Sequence, residues 1–217
     1  GKVILGEYLK NHEILALDTL LNGNEMNSLS TETELKELKE YKDEIVERGD
    51  PFGVANHVVD GKPQFIHRTF AEYFVAMFFI ENMNGKEKIA EYFLENMIND
   101  ENSVICDFID SKLNDGSNII EYSDKYSNVV KKMDGGKLYF VLERSWQNIG
   151  EFLIKNGIKM SHDTNKKTIL HPASKLKTLK NKQPIISLIL ERMNFDKNEL
   201  KNELLKTEEN YNDTPLL

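Results

Sequence analysis

The chain has 217 residues, of which 40% are hydrophobic and 29% charged, and carries a formal net charge of −8. That length holds one large or two small domains with an apolar core. The negative balance argues against a nucleic-acid surface, which needs concentrated Lys and Arg, and a single cysteine, Cys106, excludes an internal disulfide framework.

Ile14, Leu15, Leu17, Leu20 and Leu21 follow Asn11 and predict a helix that ends near Gly23. Residues 23–31 are rich in Gly, Asn and Ser and read as a loop. Thr31 and Glu34 have the spacing of a capping box, in which each side chain satisfies the other's free backbone N–H. Behind it Leu35, Leu38, Tyr41 and Ile45 recur at helical spacing, with Glu and Lys on a solvated face. Gly49-Asp50-Pro51 breaks that helix. Val58-Val59 and Phe65-Ile66 flank Asp60-Gly61, a dipeptide suited to the positive φ values of a tight hairpin turn. Thr69 stands three residues before Glu72, a second capping-box spacing. The helix that follows places Phe70, Tyr73, Phe74, Met77 and Phe78 on one stripe. Two helices, a hairpin and a buried helix, in that order, match a winged-helix subdomain.

Ile89, Tyr92, Phe93 and Met97 predict an amphipathic helix over 86–99. Ile105, Phe108, Ile109 and Leu113 predict another over 103–113, with Cys106 in its core pattern. Residues 118–133 carry a fainter pattern. Lys166, Lys167, Lys175, Lys177, Lys180 and Lys182 form a loose basic stretch, read as a solvated loop. No apolar run reaches membrane-spanning length, and the N-terminus lacks a signal-peptide pattern. With the cysteine usage, this points to the cytoplasm.

Catalytic constellations are missing from the sequence. The pairs Gly1-Lys2, Gly61-Lys62, Gly85-Lys86 and Gly136-Lys137 are followed by Val3, Pro63, Glu87 and Leu138, so none is a phosphate-binding P-loop. His12, His57 and His162 have no metal-like spacing with one another or with Cys106. No Ser-His-Asp set or carboxylate pair stands out. The chain is therefore expected not to be an enzyme, and not to hydrolyse ATP alone.

The run Phe65-Ile66-His67-Arg68-Thr69-Phe70-Ala71-Glu72-Tyr73-Phe74-Val75-Ala76 resembles the end of the winged helix in NACHT-type signalling ATPases, the NOD-like receptor group of the STAND class. The pattern there is aromatic-x-His-x-Ser/Thr-Phe-x-Glu-Tyr/Phe-Phe-x-Ala. Gly61 to Phe70 is especially similar to arthropod proteins that join a NACHT module to ankyrin repeats. The resemblance implies that His67 contacts the β-phosphate of ADP in a full-length protein, with ADP or ATP as its nucleotide and no cofactor held by this chain alone. The residues themselves equally allow a histidine bonded to backbone at the base of the hairpin.

Leu138 to Gly157 resembles an ankyrin repeat, with an inner helix, a Ser145-Trp146 turn, an outer helix and a closing Gly. Thr168-Ile169-Leu170-His171-Pro172-Ala173 resembles the Thr-Pro-Leu-His-x-Ala start of a second repeat, whose outer helix is expected over Ile185–Met193. A third start is read at Asp213-Thr214-Pro215-Leu216-Leu217. The resemblance gives His171 a structural role in the repeat loops. Trp146 is either a turn-packing residue or a surface anchor for a protein partner.

The expected fold is mainly α. A winged-helix-like subdomain with a short β-hairpin occupies 1–82, a helical linker 83–135, and degenerate ankyrin-type solenoid repeats 136–217. The expected function is that of a non-catalytic fragment of a signalling ATPase, active in protein recognition and nucleotide-dependent regulation. A plain ankyrin scaffold with a helical cap and no nucleotide link is the alternative. The expected partner is a protein, not nucleic acid or membrane, and an open repeat end predicts self-association.

Overall fold

A helix that buries every side of itself must lie at the centre of its unit, and the first helix does so. In the computed structural model, which describes residues 2–83, 85–114, 124–160, 169–176 and 185–193, α1 spans Lys2–Leu20 and buries the consecutive residues 12–17. The described residues are mainly helical with one two-stranded antiparallel sheet. The chain divides into two compact units, Gly1–Ile109 and Asp110–Leu217.

In the first unit α1 packs along α4, which spans Arg68–Asn82. Residues 23–31, expected as a loop, instead contain α2, Gly23–Leu29. The reason is an Asn-type capping box: Asn22 Oδ1 accepts from the amides of Asn24 (3.0 Å) and Glu25 (3.1 Å), and the Asn22 amide donates to Glu25 Oε2 (2.8 Å). Met26 and Leu29 then go into the core. The expected Thr31–Glu34 box starts α3, Glu32–Arg48, which buries Leu38 and Ile45.

The hairpin forms where expected, with β1 at Ala55–Val59 and β2 at Lys62–Phe65. Asp60 (φ 49) and Gly61 (φ 74) both take positive φ, as a two-residue primed turn requires. Two lysines clamp this hairpin. Lys42 Nζ donates to Gly61 O (2.7 Å) and pairs with Asp18 Oδ2 (2.6 Å). Lys62 Nζ donates to the carbonyls of Asp18 and Leu21 at the end of α1.

The start of α4 differs from the Thr69–Glu72 expectation. His67 is the N-cap, and Glu72 bonds Arg68 Nε at 2.9 Å in place of the backbone. The apolar stripe also wraps further than its spacing suggests. Phe74 and Phe78 are buried, but so are Val75, Ala76, Phe79 and Ile80, while Phe70 is 42% exposed. The helix is packed on several sides, so a single-face reading selects the wrong edge.

α5 (Glu87–Tyr92) continues into a π-helical turn at Phe93–Met97 in place of one regular helix over 86–99. α6 spans Ser103–Asn114. Cys106 is fully buried, with its Sγ 3.5 Å from Met97 O, at the core position expected of it.

The second unit contains α7 (Asp124–Val130), α8 (Gly135–Glu143), α9 (Gln147–Lys155), α10 (Leu170–Lys175) and α11 (Ile185–Met193). α8 and α9 form an antiparallel pair across a turn with Ser145 at φ 64. α10 packs on α8 and α11 on α9. Gly150 allows this approach: a Cβ there would lie 2.9 Å from Leu142 Cδ2 and 3.2 Å from Ile185 Cδ1. Pro172 is buried in the first turn of α10, where its missing N–H costs nothing. Thr168, the lysines other than Lys175, and the third start at Asp213–Leu217 lie outside the described residues.

α9 has no local side-chain cap at Trp146. Asp110 supplies one from 38 residues away. Its Oδ1 accepts from the amides of Asn148 and Ile149, each at 2.8 Å, and Asn148 Nδ2 donates to Asp110 O (2.8 Å) and Oδ2 (3.1 Å). A carboxylate at a helix N-terminus also meets the positive end of the dipole. Asp110→Ala is expected to cost about 2 kcal/mol of unfolding free energy. Urea titration followed by circular dichroism measures it, and an unchanged midpoint would show that the cap is dispensable.

Candidate functional site

His67 stands at the junction between β2 and α4, in extended backbone (φ −147, ψ 139). The Thr69 amide donates to its Nδ1 at 3.1 Å. An accepting Nδ1 places the proton of the neutral ring on Nε2. The side chain is exposed, and Nε2 has no hydrogen-bond partner among the described residues. The junction thus presents an outward N–H donor on a ring whose other edge is tied to backbone. Arg68 is exposed beside it, with Nε bound to Glu72.

Beneath this junction lies a constellation that the sequence did not single out. His12 on α1 is fully buried. Its Nδ1 lies 3.0 Å from Tyr8 O and its Nε2 3.3 Å from Asp50 Oδ2. Both ring nitrogens face acceptors. Asp50 Oδ2 also accepts from the amides of Val54 (2.6 Å) and Ala55 (2.9 Å), and Oδ1 from Phe52 (3.3 Å). Burial works to raise the Asp50 carboxyl, yet the amides of Ala55 and Val54, the His12 charge and the Phe52 amide outweigh it and hold the group below its usual 3.8.

Rings enclose the pair. Tyr8, Phe74, Tyr41 and Phe65 have centroids 4.0, 5.3, 5.7 and 6.3 Å from that of His12. Burial, then the Asp50 charge, pushes the Tyr8 hydroxyl up to about 12, and the same causes raise Tyr41, whose Oη is buried without a hydrogen-bond partner. With no exposure of either side chain, His12 and Asp50 cannot meet a substrate; they join α1 to the turn that enters β1. Among the described residues no cluster of His, Cys, Asp and Glu suits a metal ion, and no helix is long and apolar enough to cross a membrane.

Glu13, next to His12, is 4% exposed. Burial, together with the Glu81 charge and against that of Lys10, pushes its carboxyl up to about 8. It is therefore mostly protonated at neutral pH.

Trp146 is 3% exposed at the α8–α9 turn, edge-on to Phe140 with centroids 5.6 Å apart, and its amide donates to Val141 O. Its indole packs that turn. His171 is half-buried on α10, where its carbonyl accepts from Ser174 Oγ. Of the candidate site residues singled out in the sequence, His67 is exposed and has one ring nitrogen tied to backbone, whereas Trp146 is buried. His12 and Asp50 carried no usable signal, because their pairing spans 38 residues and Asp50 reads as part of a helix breaker.

Comparison with protein-family models, curated proteins and solved structures finds no match.

Two measurements check the buried groups. His12→Ala leaves the Asp50 carboxylate buried without its cation and is expected to cost about 3–5 kcal/mol, read by urea unfolding; a loss under 1 kcal/mol would show that the amides alone suffice. Glu13 has a folded value raised above its ordinary 4.5, so its contribution is fully present below that value and is lost as pH rises through about 8. Glu13→Gln is expected to flatten the decline of stability between about pH 4.5 and 8 and to raise the melting temperature relative to the parent at pH 8 and above. A variant that declines as steeply as the parent would place the titrating group elsewhere.

Proposed function

We propose that this chain provides the winged-helix and repeat portion of a NACHT-type signalling ATPase, with the P-loop supplied by sequence outside these 217 residues. The chain itself is non-catalytic. The first unit closes over bound ADP, and the helix pairs of the second, taken as degenerate ankyrin repeats, receive a protein partner. A partner shifts the switch only to the extent that it binds one state better than the other.

The observation that carries the reading is the His67 junction. A backbone amide occupies Nδ1, so Nε2 offers an N–H outward from the residue that the family pattern assigns to the β-phosphate. The helices read from the sequence, α1 and α3, precede the hairpin and α4 with α2 between them, and that order motivates the winged-helix reading. A plain repeat scaffold is the second reading, favoured by the α8–α9 and α10–α11 pairs, which need no nucleotide.

A hydrogen bond to a charged group contributes about 1.5–3 kcal/mol, or roughly ten- to a hundredfold in affinity. His67→Ala in the full-length gene product is expected to lower the ADP retained after purification by that factor, with folding unchanged. Unaltered ADP content would remove the clamp role, and a gene without a P-loop would favour the scaffold.

A further inference from the structure

The C-terminal ends of three helices in the second unit converge on Gly157. This residue follows α9 in the left-handed region, φ 89. At the position of its absent Cβ lie Arg192 Nη2 from α11, at 2.7 Å, and the stem of Lys131 from the end of α7, with Cε at 3.3 Å and Cγ at 3.5 Å. Glycine is needed twice here, for the backbone conformation and for the room that the two side chains occupy.

Cations at helix C-termini commonly cap free carbonyls. These two do not. The carbonyls of Phe152, Leu153 and Ile154 already accept from the amides of Asn156, Ile158 and Gly157, and Asn156 Nδ2 adds a second bond to Phe152. Among the described residues neither the Lys131 ammonium nor the Arg192 guanidinium has a hydrogen-bond or acidic partner, and both residues are exposed. Lys132 and Lys159 add exposed positive charge close by in sequence. Carboxylates in the neighbourhood are engaged: Glu151 pairs with Lys155, and Glu191 has its own partner. The Lys131 stem and the Arg192 guanidinium are held on the same glycine, so an anion drawn to one also meets the field of the other.

We propose that Lys131 and Arg192, meeting over Gly157, form a docking notch for a carboxylate-rich peptide segment of a protein partner. Two cations are too few, and the chain too acidic, to hold a long polyanion. A guanidinium fork beside an ammonium suits carboxylates from successive side chains. The notch rests on charge and geometry alone, so it stands whether or not the helix pairs are ankyrin repeats.

The test uses the whole chain and a fluorescein-labelled hexaglutamate peptide at low ionic strength. Saturable binding is expected, weakening as salt is added. It should shift the Gly157 amide resonance and those of the residues flanking Lys131 and Arg192. The double variant Lys131→Ala/Arg192→Ala is expected to lose about tenfold in affinity, whereas Lys36→Ala/Lys39→Ala on α3 keeps it. The resonance map is made on the unsubstituted protein, so it decides even if the double variant fails to fold. Absent binding, shifts centred elsewhere, or full affinity in a folded double variant would overturn the notch. A short DNA duplex that displaces the peptide at lower concentration would overturn the assignment to a protein segment.

Discussion

The first unit depends on one buried ion pair. His12 and Asp50 leave water completely, which is costly unless every remaining donor and acceptor is satisfied. They meet that condition because Asp50 gathers three amides besides the imidazole, and Tyr8 O takes the other ring nitrogen. The arrangement fixes the path of the chain at its least regular point. In the turn after α3 the Asp50 carboxylate gathers the turn's own amides, while His12 and the Tyr8 ring of α1 hold Asp50 and Phe52. The entry to β1 is thereby set, and with it the register of the hairpin.

From there the constraints pass up the hairpin to His67. Ala55 faces Phe65 across the strands, and Phe65 touches both the His12 ring and Phe74 of α4. The Asp18, Lys42 and Lys62 group holds the far end of the same hairpin against α1 and α3. The hairpin is thus held at its base by aromatic packing and at its tip by charge. A ring at the strand-to-helix junction inherits that rigidity, and a functional group gains from having its orientation settled before a ligand arrives.

What could be read from the residues was local. Asp60-Gly61 announced its own turn, and Thr31-x-x-Glu34 its own helix start, because both signals act within four residues. Asn22-x-x-Glu25 is the same device with Asn in place of Thr, yet the surrounding Gly and Ser masked it. At Thr69-x-x-Glu72 the spacing misled, since the imidazole two residues earlier took the capping role and Arg68 took the glutamate. The stripe on α4 misjudged Phe70 because amphipathic reasoning assumes one wet face. His12–Asp50, Glu13 and the cap from Asp110 escaped altogether: each depends on residues dozens of positions away, and no periodicity encodes such a meeting. The meeting of Lys131 with Arg192 over Gly157 belongs to the same class.

The burial of residues 12–17 on every side has a consequence for biogenesis. A helix wrapped by its neighbours cannot complete its packing until those neighbours exist, and the chief one, α4, ends at Asn82. As the polypeptide leaves the ribosome, α1 emerges before α4 and waits, its leucines unshielded, while some sixty more residues are added. Contacts so distant along the chain slow collapse and leave a sticky nascent segment that invites chaperone capture.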